Sequence, residues 1–325
     1  MPSVLLIYKN RNLAAQFVKH FKLNGYNLTE FYDEEIPYRQ YNYFQRLENI
    51  FYRLFFNNKK QIHKIDERNF KRYSNKKLNQ LKAKKLQFDF CFVVRGDLIP
   101  KNVLTYARTV SGKMIDYQLD GLSVSSKILD YKSLFDQIYV FDEQDVIDYP
   151  GYGLKATTNC YFEEKSEDED IWDIYYTGAL VENRLRAIEN LCSFLGSQYR
   201  YHINLGSGRD FDTAAPIHFL KEQISYGQNL EYSRQSRVLL DFKRKEHDGL
   251  SLRFFEAMGF EKKIITDNVA VKYYDFYDPQ NIFITDYKNF EGLADFLQTP
   301  YKTLDEAVKK KYRFKTWISE LLEGN

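Results

Sequence analysis

A glycine, a cation and a carboxylate stand close together in residues 245–268, which read KEHDGLSLRFFEAMGFEKKIITDN. The pattern predicts a loop, a helix over 250–259 and a strand over 262–268. Arg253 follows Gly249 by four residues and precedes Glu256 by three, a spacing that places these residues on one side of the helix start. Free amides at a helix start favour a diphosphate, and Gly249 permits its close approach. Arg253 could bind phosphate oxygens, and Glu256 could accept hydrogen bonds from ribose hydroxyls.

The same residues also have ordinary structural explanations. Arg253 and Glu256 could form a surface ion pair worth about 0.2–0.5 kcal/mol. His247 could be a plain loop histidine. Spacing alone therefore leaves nucleotide binding as one of two open interpretations.

Bulk composition restricts the class of protein. The chain has 325 residues, 44% of them hydrophobic and 17% aromatic, which predicts two packed domains and argues against disorder. A formal net charge of +2 argues against a general polyanion binder, and no nucleic-acid-binding motif is present. The three scattered cysteines suggest neither disulfides nor a zinc site and fit a reducing cytoplasm. The start of the chain lacks the pattern of a secretory signal.

Strand and helix patterns alternate along most of the chain, which is typical of doubly wound α/β domains. An acidic stretch over 161–173 looks like the crossing between two such domains. Residues 41–86 differ, because they predict two long helices rich in aromatic and basic residues. About a dozen Lys and Arg lie between Arg53 and Lys85, against two acids. This excess could be a solvated surface, or it could face anionic headgroups or a phosphate-bearing acceptor.

Several blocks of the sequence resemble, in the same order, bacterial glycosyltransferases of capsule or lipopolysaccharide biosynthesis, akin to the CgeB-like group. The blocks span roughly residues 88–286, and the basic helical region before them carries no such signature. They are VVRGDLIPKNVLTYAR, KMIDYQLDGL, LFDQIYVFDEQDV, IYYTGALVENRLRAIENL and GLSLRFFEAMGFEKKIITDN followed by YYDFYDPQNIF.

The resemblance implies the α/β fold called GT-B, in which two Rossmann-like domains with parallel sheets face a cleft. The acceptor domain is then expected over 1–165, with a helical basic insertion at about 41–86. The nucleotide-sugar donor domain is expected over 166–325, and its final helices could pack back on the first domain. The implied enzyme is a metal-independent glycosyltransferase without cofactor that moves a sugar from a nucleotide-sugar donor to a growing bacterial surface glycan.

The resemblance also assigns roles to residues. Glu256 matches the acid that holds the donor ribose, and Gly249 and Arg253 match phosphate-side positions. Gly178 and Arg184 lie in the other loop that usually reaches the diphosphate. Further donor contacts are predicted in the loop before the helix and at the end of the following strand: Lys243, His247 and Asn268.

The acceptor side depends on two acids at predicted strand ends, Asp97 and Asp120. Either could be the general base that an inverting transferase needs, and either could be a structural cap. Arg95 could be a cleft cation or an ion-pair partner. The predicted partners are a nucleotide-sugar donor, a glycan or lipid-linked acceptor and, through residues 53–85, an anionic membrane surface. No nucleic acid is expected.

The predicted location is cytoplasmic, at most peripheral on the inner face of the cytoplasmic membrane. A nucleotide-sugar epimerase and a non-catalytic nucleotide-sugar-binding protein of the same architecture remain alternatives. The sequence does not decide the nucleotide, the sugar or the stereochemical course.

Overall fold

The computed structural model describes residues 1–34, 40–56, 60–165, 169–207 and 211–324, apart from the side chains of Arg11 and Glu182. By its contacts, the chain divides into two compact units. The first comprises Met1–Leu119 and Ser125–Tyr139, and the second comprises Asp120–Val124 and Val140–Asn325. Over these described ranges, no helix combines the length and the apolar character that a membrane crossing requires.

The first sheet has the strand order β2-β1-β3-β4-β5-β6, and its registered neighbours pair in parallel. The buried runs LLIY and CFVV form two neighbouring inner strands, as expected for strands covered on both faces. Its strands are β1 (Ser3–Tyr8), β2 (Asn27–Glu30), β3 (Phe88–Val94), β4 (Ser111–Gln118), β5 (Gln137–Val140) and β6 (Lys155–Ala156).

The α-helices that accompany this half of the chain alternate with its strands, except for one consecutive pair. They are α1 (Arg11–Leu23), α2 (Tyr43–Phe56), α3 (Gln61–Lys84), α4 (Lys101–Thr109) and α5 (Glu143–Asp148). The consecutive helices α2 and α3 occupy the region 41–86, so the predicted helical insertion is confirmed.

The second sheet has the strand order β12-β11-β10-β7-β8-β9, with every neighbouring pair parallel. Its strands are β7 (Trp172–Ala179), β8 (Tyr201–Gly206), β9 (Ile217–Leu220), β10 (Ser236–Asp241), β11 (Lys263–Thr266) and β12 (Ile282–Ile284). Its helices are α6 (Glu182–Leu195), α7 (Tyr226–Arg234), α8 (Leu252–Phe260), α9 (Leu293–Gln298), α10 (Glu306–Lys311) and α11 (Phe314–Glu323). Two parallel six-stranded sheets confirm the predicted α/β class.

Residues 140–165, assigned to the first domain by the sequence, group by their contacts with the second unit. Tyr161 explains this, because its N–H donates to Tyr312 O and its carbonyl accepts from Phe314 N–H, both at 2.9 Å. Asn159 Nδ2 also donates to Leu250 O at 2.8 Å. The predicted boundary itself adjoins residues 166–168, which lie outside the described ranges.

Candidate nucleotide-sugar site

The second sheet reverses its winding between β7 and β10. From β7 the chain continues to β8 and β9 on one side, whereas from β10 it continues to β11 and β12 on the other. In open parallel sheets, ligands bind outside the carboxyl ends of the strands at such a switch point. Thr177 and Gly178 end β7, Asp241 ends β10 and Thr266 ends β11. These positions define where a ligand of the second unit is expected.

Arg253, in the first turn of α8, spans this switch point. Its Nη2 donates to Thr177 O at 2.9 Å, and its Nη1 lies 3.7 Å from Asp241 Oδ1. Its guanidinium also lies 4.9 Å from the centre of the Tyr176 ring. Within the described ranges, its buried Nε has no hydrogen-bond partner. Since a buried donor without a partner is costly, Nε marks a position where a bound acceptor atom would lower the free energy.

Arg184, near the start of α6, approaches the same strand end. Its Nη1 donates to Ala179 O at 2.9 Å, and its guanidinium lies 5.7 Å from the Tyr176 ring centre. The Nε of Arg184 is likewise buried and unpartnered in the part of the chain that the structure describes. Two guanidinium groups therefore flank one tyrosine at the end of β7, where the forked geometry of arginine suits phosphate oxygens.

Glu256 lies one turn beyond Arg253 and is buried. Its Oε1 accepts from Tyr226 Oη at 2.7 Å, and its Oε2 accepts from Asn229 Nδ2 at 3.3 Å. Burial raises the pKa of Glu256, while the Tyr226 hydroxyl and the charge of Arg253 act in the opposite direction. Arg253 and Glu256 do not form the exposed surface pair that the spacing also allowed, because both are withdrawn from solvent.

Asp241 fixes the start of α8 against the sheet. Its Oδ1 accepts from Ser251 Oγ at 2.7 Å, and its Oδ2 accepts from Thr266 Oγ1 at 2.9 Å. Ser251 is the residue before the helix, yet its hydroxyl makes no capping bond to the helix amides. Asp241 was not among the predicted site residues, although its place at the end of a predicted strand was a usable signal. Tyr226 and Asn229 were not predicted either, because α7 itself was not predicted from the sequence.

The loop before α8 corrects part of the prediction. The helix begins at Leu252 rather than at 250, so Gly249 lies before it. A Cβ at position 249 would lie 2.6 Å from a ring carbon of Phe141 and 2.8 Å from its carbonyl oxygen. His247 Nδ1 is 3.2 Å from Gly249 O, and its ring centre is 4.7 Å from that of Phe141. Close packing on Phe141 by itself requires a glycine at position 249, and a role of Gly249 in ligand binding stays a prediction.

The other predicted donor contacts have structural roles as well. Lys243 pairs with Asp248 through its Nζ. The side chain of Asn268 accepts from Ala270 N–H at 3.1 Å and caps a short 3₁₀ helix. A Cβ at Gly178 would collide with the hydroxyl of Tyr176. The structure thus brings Arg253, Glu256 and Arg184 to the strand ends and gives the remaining candidates local partners.

Asp120 belongs by its contacts to the second unit and not to the predicted acceptor domain. It accepts from Arg244 Nη1 at 3.3 Å. The neighbouring Ser123 Oγ donates to Glu246 O at 2.6 Å, which attaches the 120–124 loop to the loop before α8. The Asp120 side chain stays partly exposed, so its carboxylate is accessible to a ligand.

Asp97 lies at the switch point of the first sheet, between β1 and β3. Arg95 donates to both of its oxygens, through Nε and Nη2, each at 2.8 Å. Burial would raise the pKa of Asp97, but the hydrogen bonds and charge of Arg95 outweigh it and lower that pKa. Arg95 is therefore an ion-pair partner, and Asp97 is a weak base held ionised.

A groove of about 920 Å³ opens beside Asp97 in the first unit. Lys101 and Lys127 flank the Tyr131 ring there, at 5.9 and 5.8 Å from its centre. Within the described ranges, neither lysine forms an ion pair. The groove lining contains five lysines and three aromatic rings against two acids, and besides the residues above it includes Lys9, Lys71, Lys82, Phe70 and Tyr106. Its excess positive charge suits an anionic ligand.

Among the described residues, no group of three or more His, Cys, Asp or Glu is placed to hold a metal ion. Metal-independence remains a prediction.

No protein-family model matches the chain, and no curated protein matches it significantly. Solved structures are similar in fold. An α,α-trehalose-phosphate synthase (UDP-forming) from Burkholderia xenovorans, in complex with glucose-6-phosphate, matches with a TM-score of 0.60 at 11% identity, over 100% of this chain and 99% of that one. The fold is GT-B.

Other similar structures share this fold at low identity. The same enzyme from Burkholderia vietnamiensis has a TM-score of 0.55 at 11% identity, covering 99% of this chain and 95% of that one. A UDP-GlcNAc 2-epimerase from Neisseria meningitidis, bound to UDP-GlcNAc, has a TM-score of 0.50 at 11% identity, covering 99% and 100%. At such identities these neighbours establish the fold alone, and the resemblance to the surface-polysaccharide group stays a prediction.

Proposed function

We propose that this protein is a glycosyltransferase that uses a nucleotide-sugar donor and builds a bacterial surface glycan. The observation that carries the proposal is the pair of arginines at the second switch point. Arg253 and Arg184 each bond a carbonyl near the end of β7, and each has a buried Nε without a partner in the described ranges. A diphosphate is a ligand whose charge and oxygen atoms fit two such guanidinium groups.

The donor is held along its length in this proposal. Arg253 and Arg184 bind the diphosphate, and Glu256 binds the ribose hydroxyls from its place one turn further along α8. As the sugar leaves, negative charge develops on the diphosphate, and fixed cations stabilise that charge without reorganising. Tyr226 and Asn229 hold the Glu256 carboxylate in position for the ribose.

We further propose Asp120, rather than Asp97, as the general base toward the acceptor hydroxyl. Asp97 is buried and committed to Arg95 in a two-point ion pair, whereas the Asp120 carboxylate, which accepts from Arg244 Nη1 at 3.3 Å, stays partly exposed. A lipid-linked or otherwise anionic acceptor would bind in the lysine-lined groove of the first unit. The glucose-6-phosphate in complex with one structural neighbour is consistent with an anionic acceptor.

A thermal-shift screen with UDP, GDP, dTDP and CMP tests donor binding. At least one nucleotide is expected to raise the Tm, because a ligand that binds only the folded chain stabilises it by mass action. In Arg253→Met that shift should fall to near zero for diphosphates, with affinity reduced by about 10–100-fold for the lost charge-assisted bonds.

Arg200→Met is the matched control, since Arg200 lies near the opposite end of β7 and pairs with Asp173. A full nucleotide response in Arg253→Met, or an equal loss in Arg200→Met, contradicts the site.

The epimerase alternative has its own readout, and it is supported by the fold likeness to a UDP-GlcNAc 2-epimerase. To separate the two activities, the protein is incubated with sugar nucleotides that carry the nucleotide with the largest thermal shift. Release of free epimerised sugar nucleotide without acceptor supports the epimerase, whereas release of nucleotide that depends on an added glycan acceptor supports the transferase.

A further inference from the structure

Helix α2 of the first unit is covered by its neighbours on its polar side and exposed on its apolar side. Its sequence, YFQRLENIFYRLFF, contains nine large hydrophobic residues, and none of its 14 residues is buried. The most exposed of the nine are Phe44, Leu54, Phe55 and Tyr43, at 77%, 73%, 71% and 70%. A surface helix normally turns its apolar side toward the core, so this arrangement needs an external partner.

The contacts that hold α2 against α3 are polar. Glu48 accepts from Gln61 Nε2 at 2.6 Å and from Arg68 Nη2 at 2.5 Å. Gln45 Nε2 donates to Asn69 Oδ1 at 2.7 Å. These bonds fix the helix so that its other side, with Leu47, Ile50 and Leu54 at helical spacing, points away from α3.

Exposed cations lie on α3, the helix to which the polar side of α2 is bound. They outnumber the two acids of the same helix and include Lys64, Arg68, Lys71, Arg72, Lys76, Lys82 and Lys84. An apolar strip beside a basic surface is the combination that binds the interface of an anionic bilayer. A second copy of this chain is the alternative occupant, and the oligomeric state is therefore an outcome of the test below.

We propose that α2 lies in the interface of an anionic membrane, with its aromatic and leucine side chains among the lipid tails and the α3 cations at the headgroups. The predicted membrane contact of residues 53–85 thereby gains an apolar anchor, residues 43–56. Membrane binding is measured without turnover, so its failure and the failure of the transferase activity are separate results.

Vesicle flotation of the full chain tests this proposal. The protein should float with phosphatidylcholine vesicles that contain phosphatidylglycerol, and less with phosphatidylcholine alone or at high salt. The variant with Phe44→Gln, Leu54→Gln and Phe55→Gln should lose at least about tenfold in vesicle affinity, because three exposed apolar side chains can no longer transfer from water to lipid. Its Tm should match the wild type, since none of the three is buried.

The matched control is the variant with Leu23→Gln, Ile147→Gln and Tyr273→Gln, which removes three exposed apolar residues from elsewhere. It should float like the wild type. Three results overturn the proposal: no flotation of the wild type with anionic vesicles, equal losses in both triple variants, or a dimer in light scattering that the α2 variant dissociates. The last result would assign the face to a second copy of the chain.

Discussion

Each of the two sheets reverses its winding at one switch point, but the residues at the two switch points differ. In the second unit, Asp241 ends β10 and Arg253 of α8 bonds the end of β7, and both side chains are largely withdrawn from solvent. In the first unit, the ends of β1 and β3 lead to an open groove lined by lysines, and the buried Asp97 beside it is already paired with Arg95. One site is thus rigid and built by arginine, and the other is open and built by lysine.

Because of this difference, we expect the two sites to bind different kinds of ligand. Arginines that are held by backbone carbonyls and have buried Nε atoms present a fixed fork, which suits one ligand geometry such as a diphosphate. Exposed lysines are mobile point charges, and they favour anionic ligands of varied shape. A donor that is always a nucleotide diphosphate and an acceptor of variable structure would match this division.

Asp120→Asn is expected to have the largest effect. If Asp120 is the base, kcat falls by about 100-fold or more, because general base catalysis contributes roughly 10²–10⁴. Nucleotide binding should be unchanged, since the proposed donor-binding residues are on α6 and α8. Steady-state kinetics with the best acceptor and a nucleotide titration measure the two quantities. A kcat within a few fold of wild type would remove Asp120 from the chemistry.

Asp97→Asn should act on stability and leave kcat within a few fold. The loss of the charge that pairs with Arg95 is expected to cost about 1–3 kcal/mol of unfolding free energy at pH 7. Because the folded-state pKa of Asp97 lies below its ordinary 3.8, this contribution is present above about pH 4 and is lost as the pH falls through the folded value. Urea unfolding should show a smaller difference in unfolding free energy between wild type and Asp97→Asn below pH 4 than at pH 7. A large loss of kcat with normal stability would reverse the roles of Asp97 and Asp120.

How much the sequence could reveal differs between these sites. The alternation of strands and helices was sufficient for the α/β class, and the spacing of Arg253 and Glu256 predicted that these two side chains lie one turn apart at the start of one helix. The role of Gly249 could not be predicted, because it depends on Phe141, which is distant in the chain. Helix α7 was missed despite a readable capping box at Ser225 and Gln228, and with it the partners of Glu256 were lost.

The exposure of α2 is a further case that the sequence could not give. Its hydrophobic spacing predicts a helix with an apolar side, and such a side usually packs inward. Only the positions of Glu48 and Gln45 against α3 show that the polar side is the attached one.

Glu256→Gln should weaken the rigid site by about tenfold in nucleotide affinity, since a neutral amide replaces the charged acceptor of the ribose hydroxyls. The same substitution should raise the unfolding free energy relative to wild type at high pH. The folded-state pKa of Glu256 is raised above its ordinary 4.5, so the wild type loses stability as the pH rises through the folded value, and the glutamine variant does not. Urea unfolding at pH 5 and pH 8 should therefore show the variant gaining relative to wild type. A relative loss at pH 8 would mean that the carboxylate stabilises the fold.

Lys127→Met in the open groove is expected to have the smallest effect. This lysine is one of five around the groove, and its charge lies 5.8 Å from the centre of the Tyr131 ring. Its removal should therefore raise the acceptor KM about two- to fivefold and leave kcat unchanged. Lys101→Met should raise the acceptor KM by a similar factor. In the double variant the increase in KM should be nearly the product of the two single increases, because mobile charges act almost independently. The rise should disappear at high salt, where the wild type loses the same attraction. A KM increase of a hundredfold from Lys127 alone would show that the first switch point is as strictly arranged as the second.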